Sequence, residues 1–317
     1  MYACIDRIKR LFQKSDPPNS YLQVENFSTY VVSKDRDNSD NRDNSDNIDN
    51  RDNRDNRLKY VSGNLDKCVW LCLDSSDNFI IEKTQINEWR VNKEYRIGKY
   101  IGPKNFIKYI DGLKLILQYY PAGDGIDLVK YLHYKYMVEE KIQLIVMRLS
   151  ISLAKQIKLL HDIDMAHMDI KPDNILYDHN EDILVLTDFE FACYTKAKDY
   201  HVVGTLNYID PYLYMYNDKS LIEEPDLKKC DIYSLGITLW SLIYKQYPFI
   251  DPKVPYNNIP SYSKGFDILN KLLIDMIKID NRSRPTIDEF IVKCEAALSG
   301  VSIPKMCVLD YLDLAQP

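Results

Sequence analysis

Glycine is scarce in this chain, with 10 in 317 residues against 25 tyrosines. No G-x-G-x-x-G series appears, so a loop whose missing Cβ atoms let several backbone N–H groups close on a phosphate is not present in full. There is no Cys-x-x-Cys pair among the seven cysteines at 4, 68, 72, 193, 230, 294 and 307. An odd count without paired spacing fits reduced thiols better than a disulfide framework or a zinc site. Positive net charge is also missing: the balance is −6, which argues against general affinity for nucleic acid or an anionic membrane. The longest apolar-looking run, Ile232 to Tyr244, is too short for a bilayer and carries Ser234 and Ser241. The opening residues hold Asp6, Arg7, Lys9 and Arg10 where a signal peptide needs an apolar core, and no glycine follows Met1 for myristoylation. These features predict a soluble cytoplasmic protein that contacts neither membrane nor nucleic acid.

What is there is ample for a core. Hydrophobic residues make up 45 % of a length that suits one large domain or two lobes around a cleft. Residues 36–56 are seven successive copies of x-Asp-Asn. With only Ile48 to bury, the segment cannot offset its ordering entropy and is expected to be disordered. Its Asp and Asn oxygens could in principle chelate Ca²⁺. It lacks, however, the fixed glycine turn and closing carboxylate of such sites, and a tolerated repeat expansion is the better account. The abundance of Asn, Ile, Lys and Tyr fits an AT-rich coding genome, as in a parasite, a protist or a large DNA virus (whose host cytoplasm would then be the location).

The organisation divides into 1–35, with strand character at Phe27–Val32; the repeat at 36–56; a main domain over 57–298; and a tail at 299–317. Arg57–Ser62, Cys68–Leu73 and Asn78–Thr84 read as strands, with a turn at Asp74–Asp77. Glu88–Tyr100 reads as a helix, and Leu113–Tyr119 as a strand after the turn at Asp111-Gly112. From about Asp127 the pattern becomes helical. Glu139–Asp162 carries a stripe of Ile142, Ile145, Val146, Leu149, Leu153, Ile157 and Leu160. Ile175–Tyr177 and Ile183–Leu186 flank a short turn. Cys230–Tyr244, Gly265–Ile279 and Thr286–Leu298 complete the helices, the last opened by Pro285 and Thr286. A β-rich half followed by a helical half predicts an α+β fold of two lobes, with the chemistry at their junction.

The stretch His167-Met168-Asp169-Ile170-Lys171-Pro172-Asp173-Asn174-Ile175-Leu176 places an acid, a cation and an amide in one loop, and fourteen residues after Asn174 comes Asp188. Such a set suits phosphoryl transfer. With Gly204-Thr205, Asp231-x-x-Ser234-x-Gly236 and Arg284 in the same order, the chain resembles the eukaryotic-type serine/threonine protein kinases, over about residues 57–298. That resemblance implies a small β-rich N-terminal lobe, a larger helical C-terminal lobe, ATP and Mg²⁺ as cofactors, and protein substrates. It makes Asp169 the catalytic base and Lys171 the residue that neutralises the transferring phosphoryl group, and it gives the metal to Asn174 and Asp188. Lys83 becomes the lysine that grips the α- and β-phosphates, with Glu94 as its partner and Glu88 as the fallback. Val61, Gly63, Val69, Ile81 and Leu176 would line the nucleotide, Leu117 would stand beside adenine, and backbone groups of Gln118, Tyr119 and Tyr120 would bond its edge. His167, Asp231, Ser234, Gly236 and Arg284 are expected to be structural.

The departures are as specific as the matches. Gly63 is the only glycine in the stretch that corresponds to the glycine-rich loop, with Asn64 beside it as a residue that tolerates positive φ. Glu190 replaces the glycine of Asp-Phe-Gly. Met168 replaces the arginine that reads a phosphate on the activation loop, which predicts little dependence on such phosphorylation. Gly98 stands where a spine leucine is usual. Tyr212 replaces the glutamate that pairs with an arginine like Arg284, so the substrate shelf is expected either to be held differently, by Glu223 or Glu224, or to be looser. Two other readings stay open: a pseudokinase scaffold with weak or no catalysis, and a kinase-fold enzyme acting on a small molecule.

Overall fold

The computed structural model describes residues 57–63, 67–103, 106–136, 138–196, 203–213, 224–245, 267–303 and 305–306. The Phe27–Val32 strand, the x-Asp-Asn repeat, Asn64 and Glu223 lie outside them. The N-terminal half is an antiparallel sheet of five strands in the order β1-β2-β3-β5-β4: β1 Arg57–Gly63, β2 Lys67–Leu73, β3 Phe79–Gln85, β4 Ile107–Asp111 and β5 Lys114–Gln118. The turn between β2 and β3 is closed by the Asp74 carboxylate, which accepts from the backbone N–H of Ser76 and of Asn78. Helix α1, Glu88–Ile101, is capped by the Asn87 side chain on the Arg90 amide and buries Val91, Glu94, Ile97, Gly98 and Ile101.

The β4 strand is absent from the sequence expectation. Its inward positions are only Ile107 and Ile110, with Lys108, Tyr109 and Asp111 exposed, so the periodic signal is two residues long. Pairing with β5 along Ile107↔Leu117 and Ile110↔Leu115 makes it a strand.

The C-terminal half is helical. Helices α2 (Gly125–Lys135), α3 (Glu139–Asp162), α4 (Leu227–Tyr244), α5 (Asp267–Met276) and α6 (Ile287–Leu298) surround two short antiparallel strand pairs, β6 Met165–Ala166 with β9 Cys193–Tyr194 and β7 Ile175–Asp178 with β8 Ile183–Leu186. The apolar stripe of α3 is its buried face, with Leu153, Ile157 and Leu160 wholly enclosed. Burying one such leucine contributes on the order of 1.5–3 kcal/mol, and this face joins residues of the other helices in one core. Helix α4 starts at Leu227, before the expected Cys230, because Asp226 caps the Lys228 amide. Helix α5 stops at Met276, short of the expected Ile279; the carbonyls of Lys278 and Ile279 go instead to the Arg284 guanidinium. Helix α6 opens with a reciprocal capping box between Thr286 and Glu289. Among the described residues no helix is long and apolar enough to cross a membrane.

Candidate active site

The loop from Ala166 to Ile175 is fixed from below. Asp231, fully buried on α4, accepts from the backbone N–H of His167 at 2.8 Å and of Met168 at 2.9 Å, and contacts His161 Nε2 at 3.0 Å. These bonds hold Met168 at φ +68°, a strained left-handed conformation that the surroundings over-determine. His167 accepts from the Asp169 amide at Nδ1 and reaches Thr187 O with Nε2 at 3.1 Å. It is therefore the neutral tautomer protonated at Nε2, and burial pushes its pKa down. Its ring meets Phe189 edge-on, which joins this loop to the Asp188 segment.

Above that base, Asp169 is the hub. Asn174 Nδ2 donates to both the main-chain oxygen and Oδ2 of Asp169, each at 2.8 Å. Thr205 Oγ1 donates to Asp169 Oδ1 at 2.9 Å, and Lys171 Nζ lies 2.6 Å from Thr205 Oγ1 and 3.1 Å from Asp169 Oδ2. Gly204 makes this possible: at φ +112° it passes so close to Met168 O that a Cβ would sit 2.5 Å from that oxygen. The hairpin of β7 and β8 pairs Ile175 with Leu186, and the Thr187 amide donates to Asn174 O at 3.0 Å. Residues fourteen apart in sequence are thereby brought to the same end of one hairpin.

Asp188, at φ +62°, faces two ammonium groups. Lys83 Nζ lies 2.9 Å from Oδ1 and Lys67 Nζ 2.6 Å from Oδ2. Burial works against the Asp188 carboxylate, but the two lysines outweigh it and hold its pKa well below the usual range. Lys83 also meets both carboxylate oxygens of Glu94 at 2.7 Å. Burial opposes its charge too, yet Glu94 and Asp188 together raise its pKa above the ordinary lysine value. Glu94 is thus the acid beside Lys83; Glu88 serves in the first turn of α1. Gln85, which the sequence did not single out, donates to Glu94 Oε2. Strand alternation could have found it, since it follows Lys83 by two on the same face.

Glu190 is tied to α1 and to the sheet. Arg90 Nη1 lies 2.8 Å from its carboxylate, Lys67 Nζ 3.5 Å, and Lys93 Nζ donates to its main-chain oxygen at 2.8 Å. Gly98 has its own reason: a Cβ there would fall 2.3 Å from Ile107 Cδ1, so β4 supplies the apolar volume that the helix omits.

The sheet brings the remaining candidates to one wall. Val69 pairs with Lys83, Ile81 with Leu117, and Gly63 with Cys68, while Val61 near the end of β1 is exposed. Leu176 bridges to Asp124 and the Tyr177 amide donates to Gly123 O, which sets Leu176 under the segment after β5. In that segment the Gln118 amide is given to Phe106 O, and Tyr120 O accepts from Gly123 N.

One expectation is corrected. Arg284 is not held by Glu224, which is exposed; Glu223 lies outside the described residues. Its partner is Asp210, two residues before Tyr212, with Nη2 at 2.7 Å from Oδ1 and Nη1 on Oδ2. An arginine fork needs a carboxylate within reach in its own plane, and Asp210 is the buried one that offers it.

As donors for a metal, Asn174 and Asp188 are an amide and a carboxylate, the hard oxygen set that suits Mg²⁺, which takes only one or two protein carboxylates and completes its shell with phosphates and water. Asp188 already attracts cations on both oxygens, and both hydrogens of the Asn174 amide are spent on Asp169, which leaves its oxygen as the ligand atom. The residues fit the ion.

Comparison with known proteins points the same way. The family described as the protein kinase domain matches residues 72–295. A putative serine/threonine-protein kinase of Acanthamoeba polyphaga mimivirus is 30% identical over 205 residues, 59% of this chain and 69% of that protein. The ovarian-specific serine/threonine-protein kinase Lok of Drosophila melanogaster is 23% identical over 232 residues, 68% of this chain and 46% of that one. MAP kinase-activated protein kinase 2 of Homo sapiens is 32% identical over 158 residues, 44% of this chain and 38% of that one. The matches thus span less than half the length of the latter two. With the loop, the ion-pair chain and the family match running through the same residues, this chain is a divergent member of the eukaryotic-type protein kinase domain family.

Proposed function

We propose that the chain transfers the γ-phosphoryl group of Mg·ATP to serine or threonine hydroxyls of protein substrates. The observation that carries this reading is the unbroken chain Glu94–Lys83–Asp188, three charges desolvated at the lobe junction. Burying charges costs several kcal/mol apiece before pairing, an expense a binding scaffold has no need of. The Mg·ATP complex supplies the reactive phosphoryl group and charge neutralisation between its phosphates. Asn174 and Asp188 hold the ion; Lys83, positioned by Glu94, holds the α- and β-phosphates. Val61, Gly63, Val69, Ile81, Leu117 and Leu176 enclose the nucleotide. Because the Gln118 amide and the Tyr120 carbonyl are already bonded within the protein, the adenine edge falls to the other main-chain groups of Gln118, Tyr119 and Tyr120.

Asp169 receives the substrate hydroxyl and orients it for in-line attack, taking its proton as the bond forms. Its carboxylate is steered by Asn174 and Thr205, so the oxygen that meets the hydroxyl is fixed before substrate arrives. Lys171, bridging Asp169 and Thr205, compensates charge on the transferring group. Lysine at this position and the similarity to serine/threonine-protein kinases favour serine and threonine over tyrosine. A second reading, a scaffold without catalysis, is favoured by one contact: the Lys67 ammonium sits on the proposed metal carboxylate.

The test is transfer of labelled γ-phosphate from Mg·ATP to a mixture of basic proteins, wild type against Asp169→Asn. Transfer is expected in the wild type, with loss of about 10²–10⁴-fold in the variant, since the amide keeps the shape and cannot take a proton. Phosphoamino-acid analysis then separates Ser/Thr from Tyr. A folded wild type that transfers nothing, and whose melting is unmoved by Mg·ATP, would hand the case to the scaffold.

A further inference from the structure

Lys67 stands where the pattern G-x-G-x-x-G-x-V, counted back from Val69, has its third glycine. In the register of β2 with β3, Lys67 faces Gln85 and Val69 faces Lys83, so Lys67, Val69, Lys83 and Gln85 share one face of the sheet. It is the face turned to Asp188, and the Lys67 ammonium reaches that carboxylate at 2.6 Å across the lobe junction.

Asp188 has two oxygens and two lysines on them, and a metal ion bound there needs at least one oxygen released. Lys83 is not the one to yield: it is buried and doubly held by Glu94. Lys67 sits at the start of its strand, with its side chain 21% exposed against 5% for Lys83. Once displaced, its ammonium remains within a side chain's swing of whatever the Asp188-bound ion carries. On the reading proposed above, that is a chain of phosphate oxygens. The loop here lacks the glycines that would present amides to those oxygens, and a mobile cation can meet the same need without close backbone approach. Glu190, 3.5 Å away, keeps the lysine in the neighbourhood during the exchange.

We propose that Lys67 is a second phosphate-binding lysine, which holds Asp188 in this structure and exchanges that carboxylate for the terminal phosphate oxygens of a nucleoside triphosphate when it binds. The inference rests on the nucleotide-binding part of the proposed function. The loop's affinity for phosphate then comes from a side chain, and so should depend on its charge.

Calorimetric titration of the full chain with ATP and with adenosine, with and without Mg²⁺, tests it. For Lys67→Met, ATP affinity should fall roughly tenfold, corresponding to about 1.4 kcal/mol, with adenosine unchanged. Lys67→Arg should keep most of the ATP affinity because it keeps the charge. Unchanged or tighter ATP binding in Lys67→Met would overturn the proposal and make Lys67 a mere occupant of the metal carboxylate. Equal losses for ATP and adenosine would also overturn it, by showing a deformed cleft instead of a lost phosphate contact. Should Lys67→Met melt too low to titrate, the Arg variant decides, since loss of ATP affinity there with adenosine retained contradicts a charge-based role. A wild type that binds no ATP at all fails at the nucleotide reading itself, a result visible before any variant is made.

Discussion

Arg284 donates every N–H it has. Nε goes to Lys278 O, Nη1 to Asp210 Oδ2 and Lys229 O, and Nη2 to Asp210 Oδ1 and Ile279 O, with the Tyr233 ring 4.9 Å from the guanidinium. A charge so completely enclosed depends on its one carboxylate. Asp210→Ala should lower stability by about 3–5 kcal/mol, because it leaves the guanidinium buried and uncompensated. Arg284→Met combined with Asp210→Ala should cost less than the sum of the single changes, since removing both charges removes the penalty. Denaturant midpoints of the four proteins measure this, and additive losses would deny the coupling. That Arg284 is structural was legible in its place at the end of the motif series. Its partner was not, because motif position pointed to Tyr212, while the choice of acid depends on which carboxylate the folded backbone aims at the fork. Met168 teaches the same lesson: the sequence shows only that an arginine is missing. Packing shows what stands in its stead, an apolar cluster of Met168 with Ile209, Leu213 and Leu227.

Between elements, α1 and β4 make a trade that neither sequence segment reveals alone. Gly98 looks like a defect in a helix, costing about 1 kcal/mol relative to alanine. Its vacancy is filled by Ile107, which is almost fully buried against it. Gly98→Leu, which restores the family's usual residue, should therefore destabilise by about 1–3 kcal/mol through overpacking. Adding Ile107→Ala should recover part of that loss by returning the volume. If Gly98→Leu alone raises the melting temperature, the site is not full and the trade is not real. Elements with long periodic signals were legible: α3 was given by its own stripe, and the β7–β8 hairpin by two short apolar runs about a polar turn. The β4 strand and the true end of α5 were not. Each is decided by a tertiary partner, the β5 edge for one and the Arg284 guanidinium for the other, that no local window contains.

For the molecule as a whole, the two lobes and the candidate site at their junction were readable from the change in periodicity and the motif order. What could not be read is that the expected Lys83–Glu94 pair extends to Asp188 and Lys67, and which segments the structural His167 ties together. His167 touches the Ala166–Ile175 loop through the Asp169 amide, the Asp188 segment through Thr187 O and Phe189, and through its own backbone the α4 carboxylate of Asp231. Burial is the largest influence on it and lowers its pKa, against the opposing pull of Asp231, Asp169 and Asp188. The sign of its linkage follows. Above the ordinary histidine value of about 6.5 both folded and unfolded states hold it neutral, and stability is unaffected. As pH falls through that value the unfolded chain takes up a proton that the folded one refuses, so stability is lost. His133, also lowered by burial, adds to the same slope. Asp188, with its pKa depressed, withholds its own loss until well below this window. Thermal melts from about pH 7.5 to about pH 5.5 should therefore show the wild type losing stability. His167→Gln, whose amide can still donate to Thr187 O and cannot titrate, should start lower and fall less steeply. Parallel slopes for the two proteins would mean that His167 accepts its proton in the fold, and that the hydrogen bond from the Asp169 amide does not hold it neutral.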